Sequence, residues 1–270
     1  MTEAIALLNL THLRFRGPDA ERYLNGQITQ QVENLPLGHS RYTFVCDAKG
    51  RILFDGTVHR DEEGLLLSIQ GGESEEQFTR MDRYLIADDC ELIDESERWD
   101  IIHELSEKDD NKQLINRFGS PGKDHYQEKA NMEEALKGPN TTLPSAEQEH
   151  QRILHTIPRG PDLVGAFPAE TGLEAHAVSF HKGCYLGQEV VSRMKRAGKT
   201  NRKLSLVFLS ETSTELPLLF TEADSEKTRL EITSVATTAT EKGYPALGYL
   251  NTRVTDLSIL ETPSGIKANL

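Results

Sequence analysis

Three short apolar runs separated by turn-forming residues constrain the fold of this chain more than any other feature. The runs cover residues 42–46, 52–58 and 65–69, and they are rich in valine, isoleucine, leucine and aromatic residues. The intervening segments, 47–50 and 61–64, begin with aspartate and end in glycine, and both residue types favour turns. Strands joined by such short turns pair with their chain neighbours. The sequence therefore predicts an antiparallel meander of three strands.

Helical patterns flank the predicted meander. Pro18 presets the backbone for a first helical turn, and proline is favoured at that position. Apolar residues then follow at an approximately helical spacing, at Tyr23, Leu24, Ile28 and Val32. A second helix with one buried side is predicted over 73–85. Helices and an antiparallel sheet in one region indicate an α+β fold.

The middle of the chain, from about residue 88 to 149, is polar and strongly acidic. A charge-rich stretch of this kind is typical of a solvated surface. We therefore predict an acidic insertion at about 106–146, after a strand at 99–105.

Beyond residue 203 the pattern changes to short β-type runs separated by polar stretches. These runs predict a small C-terminal β-barrel, and they cover residues 204–209, 230–235 and 246–250. The predicted domains are therefore 1–203 and 204–270.

The chain has 270 residues, of which 43 are Asp or Glu and 30 are Lys or Arg, so that its net charge is −13. An acidic surface disfavours non-specific contact with nucleic acid or an anionic membrane, and we expect neither as a direct partner. No apolar run approaches the roughly 20 residues that cross a bilayer, and the first ten residues lack the pattern of a secretory signal. Three cysteines cannot all pair within one chain. We expect reduced thiols in a cytoplasmic protein, and we expect a monomer.

One eight-residue run carries most of the chemical information. Residues 182–189, with the sequence KGCYLGQE, place Cys184 between two glycines, close to Lys182 and just before a helix predicted from Gln188. Cysteine reacts as the thiolate, which cations and helix N-termini stabilise. Seven basic residues and one acid, Glu189, lie between residues 182 and 203. This local excess of positive charge in an acidic chain indicates a site for an anionic ligand.

Other interpretations of this run stay open at this point. Cys184 would otherwise be a structural residue, as most cysteines are, and a basic run is often only a solvated face. A zinc site is disfavoured because His181 is the one adjacent ligand, and a four-thiolate cluster needs more than the three cysteines present. A cysteine–histidine hydrolase pair with His155 has no local motif to support it. We predict that Cys46 and Cys90 are structural.

The run 182–189 resembles the signature of the YgfZ family, a group of tetrahydrofolate-dependent iron–sulfur proteins with mitochondrial counterparts. The family is related to the T-protein, the aminomethyltransferase of the glycine cleavage system. Further motifs resemble the family in the usual order, at 17–20, 23–29, 46–50, 157–160, 168–170 and 178–180. The resemblance covers about residues 1–100 and 147–209. It implies two α+β lobes and a C-terminal β-barrel around a channel that holds folate.

The resemblance implies that Cys184 and Lys182 are the catalytic residues. Cys184 would face the folate channel, and Lys182 would lower the pKa of its thiol or only cap the turn. The thiol would hold iron transiently, attack as a nucleophile, or form a mixed disulfide with a client. No resident metal ion is expected.

The same resemblance implies a set of folate-binding residues. Glu170, with Glu189 as second choice, is our candidate for the donor-rich edge of the pterin, because a carboxylate can accept two hydrogen bonds there. Either acid would otherwise lie at a helix start or on the surface. Arg193 and Lys195 would hold the glutamate tail. The remaining candidates are Gln27, Asp55, Tyr185 and Gln188.

Two functions of different classes are compatible with the resemblance. The first is assembly or repair of iron–sulfur clusters in client enzymes, including tRNA-modifying enzymes, with tetrahydrofolate and Cys184. The second is a folate-dependent aminomethyltransferase or another one-carbon transferase. The T-protein pattern lacks this cysteine, and it has two adjacent aspartates where this chain has Phe54 and Asp55. We therefore favour the first function, and a folate-binding protein with neither role is a third alternative.

Overall fold

The computed structural model describes residues 3–105, 115–137, 140–222 and 227–270. Within these ranges the chain forms three β-sheets with helices packed against them. The strands are β1 (Ala4–Leu7), β2 (Thr11–Arg16), β3 (Ser40–Cys46), β4 (Ile52–Asp61), β5 (Gly64–Ile69), β6 (Glu91–Asp94), β7 (Trp99–Leu105), β8 (Ile115–Asn116), β9 (Pro121–Glu128), β10 (Thr141–Thr142), β11 (Arg202–Leu209), β12 (Leu218–Glu222), β13 (Thr228–Val235), β14 (Tyr244–Asn251), β15 (Leu260–Glu261) and β16 (Ala268–Asn269).

The α-helices are short. They are α1 (Ala20–Gln27), α2 (Ser74–Asp82), α3 (Lys129–Leu136), α4 (Ala146–Leu154), α5 (Glu174–Ala177) and α6 (Gln188–Ala197). No helix in the described ranges is long and apolar enough to cross a lipid bilayer.

The first sheet contains the predicted meander, in the order β3-β4-β5-β2-β6, and every neighbouring pair is antiparallel. Helices α1 and α2 cover one face of this sheet. Apolar side chains are buried in the core between them, including Phe15, Leu24, Val58, Leu67 and Met81. Removing such side chains from water stabilises a fold by about 25 cal/mol for each Å² of apolar surface. The meander and its two helices confirm the predicted α+β fold.

The first helix is shorter than the apolar spacing predicts. It ends at Gln27, because Ile28 has an extended backbone (φ −120°, ψ 162°) and forms a β-bridge with Val45. Ile28 and Val32 are still buried in the same core. Their spacing therefore comes from burial of an extended segment and not from a longer helix.

The second sheet has the order β10-β1-β7-β9-β8, in which β1 and β10 are parallel and the other pairs antiparallel. It corrects the expectation of a solvated insertion at 106–146. Strand β9 pairs with β7 from Gly122 to Glu128, and Phe118 and Met132 are buried. Because main-chain hydrogen bonds hold this strand, its polar composition does not reveal it. Residues 106–114 and 138–139 of the segment lie outside the described residues.

The third sheet is barrel-like and has the order β15-β12-β13-β14-β11-β16, with antiparallel neighbours throughout. Its interior is filled by apolar side chains that include Val207, Phe220, Leu230 and Ile232. This arrangement confirms the predicted C-terminal β-barrel, while the boundary between 203 and 204 stays a prediction.

The chain between α4 and α6 crosses between the sheets in short turns. In one of these turns, Asp162 accepts hydrogen bonds from the hydroxyls of Thr233 and Ser234 on β13, at 2.5 and 2.7 Å. Its other carboxylate oxygen pairs with Arg152 of α4 at 2.8 Å. Asp162 and Arg152 are buried, so Asp162 fixes the crossing segment against the third sheet.

Candidate functional site

A cavity of about 700 Å³, here called the central cavity, is lined by residues of all three sheets. Strands β3 and β4 supply one wall, β8 and the turn after it supply a second, and β11 supplies a third. The crossing segment completes the lining at 155–159 and 171–173. Cavities of roughly 300–1,000 Å³ are typical of small-molecule sites, so the central cavity is large enough for one.

Asp55 on β4 is the buried acid of the central cavity. The hydroxyl of Tyr42 on β3 donates a hydrogen bond of 2.9 Å to its Oδ2, whereas its Oδ1 has no hydrogen-bond partner among the described residues. Burial raises the pKa of the Asp55 carboxyl, and the bond from Tyr42, the charge of Arg117 and the backbone amides of Asp55 and Gly160 oppose that rise. A buried acceptor without a partner is costly. Oδ1 is therefore ready to accept a hydrogen bond from a ligand.

Three cationic side chains line the same cavity. Arg117 pairs with Asp124 at 2.6 Å, and Arg159 pairs with Glu149 at 2.7 Å. Lys203 is exposed and makes no ion pair with any residue that the structure describes. The cavity thus combines one buried acid with several cations.

Apolar side chains form much of the remaining wall. They are Ile115, Phe118, Ile157, Leu173, Leu204 and Leu206. Together with Oδ1 of Asp55, these walls fit a flat heterocycle that carries hydrogen-bond donors, as the pterin of a folate does. The cations fit its glutamate tail. The residues present are therefore suited to the folate that the resemblance implies.

Cys184 lies outside the central cavity. Its thiol is exposed, and it lines a second, more open pocket of about 500 Å³, here called the Cys184 pocket. Gln27 of α1, Tyr84 and residues 184–190 form its walls together with Gly26 and Ala48. Helix α6 begins at Gln188, as predicted. Cys184 is not among the residues that line the central cavity, whereas His155 is. That Cys184 faces the folate channel stays a prediction.

The second glycine of the run is required by close packing. Gly187 has a left-handed backbone (φ +86°), and a Cβ at this position would lie 2.5 Å from the carbonyl oxygen of Asp47. The hairpin turn between β3 and β4 therefore packs directly on residue 187. This contact joins two of the motifs that the sequence places more than a hundred residues apart.

Lys182 is buried and holds the run in place. Its Nζ donates to the backbone carbonyls of Asn25, Ile28 and Gln30, at 2.6, 2.8 and 2.8 Å. Burial lowers the pKa of this amine to about 7. Because three carbonyls take its donors, the contacts of Lys182 favour the alternative that it fixes the turn over a direct action on Cys184.

Glu170 is also buried and engaged. Its Oε2 accepts a hydrogen bond from the backbone amide of Phe167 and pairs with Arg202 of β11, at 3.0 and 3.2 Å. Its neighbour Thr171 lines the central cavity, but Glu170 is not among the lining residues. The contacts of Glu170 thus join the crossing segment to the third sheet.

The structure separates the other predicted residues into two groups. Gln27, Tyr185, Gln188 and Glu189 line the Cys184 pocket, and Asp55 lines the central cavity. Arg193 is exposed on α6 and lines neither pocket, and Lys195 pairs with Glu174 at 2.7 Å.

Tyr42 and Arg117 are cavity residues that the sequence does not predict. Tyr42 is recognised only as part of a strand. Arg117 lies in the acidic segment, where the glycine- and proline-containing turn at 119–122 is the one signal of a hairpin. Among the described residues, no three His, Cys, Asp or Glu side chains are grouped so that they could hold a metal ion.

Comparison with known proteins identifies several relatives. The profile of the GCVT N-terminal domain matches residues 3–103. The tRNA-modifying protein YgfZ of Escherichia fergusonii is 27% identical, over 74% of this chain and 69% of that protein. The mitochondrial iron–sulfur cluster assembly factor IBA57 homolog of Coccidioides immitis is 27% identical, over 79% of this chain and 58% of that protein. An aminomethyltransferase of Rubrobacter xylanophilus is 32% identical, but over only 36% of this chain.

Solved structures extend the similarity of fold to almost the whole chain. The crystal structure of glycine cleavage system aminomethyltransferase T from Bartonella henselae superposes with a TM-score of 0.78, over 99% of this chain and 84% of that one, at 14% identity. The fold is therefore aminomethyltransferase-like. The relatives YgfZ and IBA57 homolog, each 27% identical over about three quarters of this chain, and the match to the GCVT N-terminal domain support membership of the YgfZ family.

Proposed function

We propose that this protein binds tetrahydrofolate in the central cavity and supports the assembly or repair of iron–sulfur clusters in client enzymes, including tRNA-modifying enzymes. The observation that carries the proposal is the free Oδ1 of Asp55 in a cavity of about 700 Å³. A relative named as an iron–sulfur cluster assembly factor gives the direction of the function. The proposal places the protein in the cytoplasm as a monomer.

Asp55 is the residue that would orient the folate. Its Oδ1 would accept hydrogen bonds from the ring's amino group, while Tyr42 holds Oδ2 at 2.9 Å. Hydrogen bonds to an ionised carboxylate are stronger than those between neutral groups, and the apolar walls would exclude water from them. Tetrahydrofolate, when bound, supplies a reduced ring that can carry a one-carbon unit.

Cys184 is the residue that would contact the client enzyme. It is the exposed thiol, whereas burial raises the pKa of Cys46 to about 12 and that of Cys90 to about 11. An accessible cysteine can ligate iron or attack a disulfide as its thiolate. Because the Cys184 pocket and the central cavity have different walls, the proposal assigns folate and client to separate sites.

An aminomethyltransferase activity is the second candidate. It is favoured by the position of Asp55 on a hairpin strand of an aminomethyltransferase-like fold. It is disfavoured by Phe54 at the place where the resemblance implies another aspartate.

Two measurements test the proposal. Calorimetric titration should show that tetrahydrofolate binds the wild-type protein and that Asp55→Asn weakens binding about 10-fold or more. Glu62→Gln, in an exposed turn, is the matched control and should bind as the wild type does. Absence of binding by the wild type would overturn the folate site.

The second measurement addresses the client. In cells that lack the endogenous protein, Cys184→Ala should fail to restore a cluster-dependent tRNA-modifying enzyme while still binding tetrahydrofolate, and Cys90→Ala should restore it. Full complementation by Cys184→Ala would remove the thiol from the function. Transfer of a one-carbon unit from an aminomethyl donor in vitro, without dependence on Cys184, would establish the transferase instead.

A further inference from the structure

A buried polar cluster in the second sheet reaches into the central cavity and has no role in the function described so far. It consists of Arg117, Asp124 and His103. Asp124 on β9 lies directly opposite His103 on β7, and the side chains of both are almost completely buried. Arg117 lies in the turn between β8 and β9 and lines the cavity.

Asp124 holds Arg117 from one side. Nε and Nη2 of Arg117 donate to its two carboxylate oxygens, at 3.1 and 2.6 Å. Burial alone would raise the pKa of Asp124, but the charge of Arg117 and the hydrogen bond from His103 outweigh it and hold the pKa well below its usual range. Two parallel bonds of this kind fix the plane of the guanidinium.

His103 holds Asp124 from the other side. Its Nδ1 lies 2.8 Å from Oδ1 of Asp124, and it donates there because an ionised carboxylate only accepts. The ring is packed against the backbone of β9, since a Cβ at Gly122 would lie 2.5 Å from Nε2 of His103. Neither residue of the pair can turn away without disturbing the sheet.

The third guanidinium nitrogen of Arg117, Nη1, differs from the other two in its hydrogen bonding. No residue that the structure describes accepts a hydrogen bond from Nη1, although the other two nitrogens are taken. Arg117 and Asp55 line the same cavity and form no ion pair with each other. A ligand that gives hydrogen-bond donors to Asp55 would therefore find a fixed donor for one of its oxygens at Arg117.

We infer that Arg117 is a second ligand-binding residue of the central cavity, which donates from Nη1 to an oxygen of the bound ligand, and that Asp124 and His103 are its positioning residues. This inference rests on the proposed folate site. The oxygen belongs either to the ring carbonyl or to a carboxylate of the glutamate tail, and both are acceptors of the same kind. Because the guanidinium is already held in place, little conformational freedom is lost on binding.

Arg117→Lys is the decisive variant. A lysine keeps a positive charge beside Asp124 but has no second nitrogen for the ligand. In calorimetry, the dissociation constant for tetrahydrofolate should rise about 10-fold or more, while the melting temperature stays within a few degrees of the wild type. Arg229→Lys, in an ion pair with Glu222 on the third sheet, is the matched control and should bind normally.

A second ligand identifies the oxygen. If Arg117→Lys weakens the binding of both tetrahydrofolate and 6-methyltetrahydropterin, which lacks the tail, the contact is to the ring. If it weakens the binding of tetrahydrofolate alone, the contact is to the tail. Either result supports the inference.

The positioning role is tested by combining variants. Asp124→Asn should weaken the binding of tetrahydrofolate in the wild-type background and have no further effect on binding in the Arg117→Lys background. Where Asp124→Asn does not fold, His103→Phe replaces it, and Arg117→Lys decides by itself where neither folds. Binding by Arg117→Lys within twofold of the wild type would overturn the inference alone. A wild-type protein that binds no tetrahydrofolate would overturn the proposed folate site, and this inference with it.

Discussion

The central cavity and the Cys184 pocket are built in opposite ways. In the central cavity, polar side chains from two of the sheets are held by partners, as Asp55 is by the half-buried Tyr42 and Arg117 by the buried Asp124. In the Cys184 pocket, most of the walls come from one continuous run, and the thiol itself is exposed. Fixed, converging groups suit a small molecule that is recognised atom by atom. An open pocket around a thiol suits a large partner that approaches from solvent.

The two sites also differ in which of their parts are held by buried contacts. Close to Cys184, the buried amine of Lys182 donates to three backbone carbonyls and not to the thiol. Lys182 therefore anchors the run that carries Cys184, while the thiol itself stays exposed. Four predictions test this comparison.

Removal of the support beneath Cys184 should have the largest effect. Lys182→Met leaves three carbonyl oxygens without their donor, and each buried unsatisfied acceptor costs on the order of 1–3 kcal/mol. We expect the free energy of unfolding to fall by about 3 kcal/mol or more in a urea titration. Lys195→Met, which removes an exposed pair with Glu174, should cost about 1 kcal/mol or less. Equal losses in the two variants would contradict the assignment of Lys182 as the support.

A pair of glycine substitutions compares the tightness of the two regions. A Cβ at Gly122 would lie 2.5 Å from His103 and 2.6 Å from the carbonyl oxygen of Glu104, whereas a Cβ at Gly183 would meet nothing within 4 Å. Gly122→Ala should destabilise the protein by about 1–3 kcal/mol. It should also weaken the binding of tetrahydrofolate, because it disturbs the cluster that positions Arg117. Gly183→Ala should leave unfolding and binding almost unchanged. Thermal melting measures the stability of both variants, and calorimetry measures their binding of tetrahydrofolate. If Gly122→Ala were as stable as Gly183→Ala, the two regions would not differ in tightness of packing.

The buried acid of the central cavity should cost stability in the absence of ligand. Because burial raises the pKa of Asp55, ionising its carboxyl is less favourable in the folded than in the unfolded state, and stability is lost as the pH rises through the folded pKa. Asp55→Asn cannot ionise, so it should be more stable than the wild type by about 1 kcal/mol at pH 8. The gain should shrink as the pH is lowered and vanish once the carboxyl is protonated in both the folded and the unfolded state. Melting curves at several pH values test this, and a gain that grows towards acid would contradict it.

The smallest effect on stability is expected at Cys184 itself. Because the side chain is exposed, Cys184→Ala should change the free energy of unfolding by no more than about 0.5 kcal/mol. At pH 8, an alkylating reagent should modify Cys184 first and leave Cys46 unmodified, since burial raises the pKa of Cys46 to about 12. Mass spectrometry of the labelled native protein measures the order. Early labelling of Cys46 would show that the sheet around it opens.

Sequence reasoning found the residues that are held in contiguous motifs. The meander, the C-terminal β-barrel and the start of α6 at Gln188 follow from local patterns. Asp55 can be predicted from the sequence because it lies in a recognisable hairpin. The exposed position of Cys184 follows from the glycines around it.

The polar cluster of the second sheet could not be found in this way. His103 and Asp124 are adjacent only because β7 and β9 pair, and the burial of Asp124 depends on partners from both strands and the turn. Composition assigns such residues to the surface. Glu170 illustrates the same limit, because its partner Arg202 comes from a strand of the third sheet, and no local pattern links the two.

The three hydrogen bonds of Lys182 also determine when the reactive thiol acquires its surroundings. They join residues that are 152 to 157 positions apart. During synthesis, N-terminal regions fold before later ones emerge. The first sheet can therefore form while the run that carries Cys184 is still being made, and the pocket closes only when about two-thirds of the chain has been translated. We expect a truncated chain that stops before this point to form the sheet but to lack both the thiol and its support.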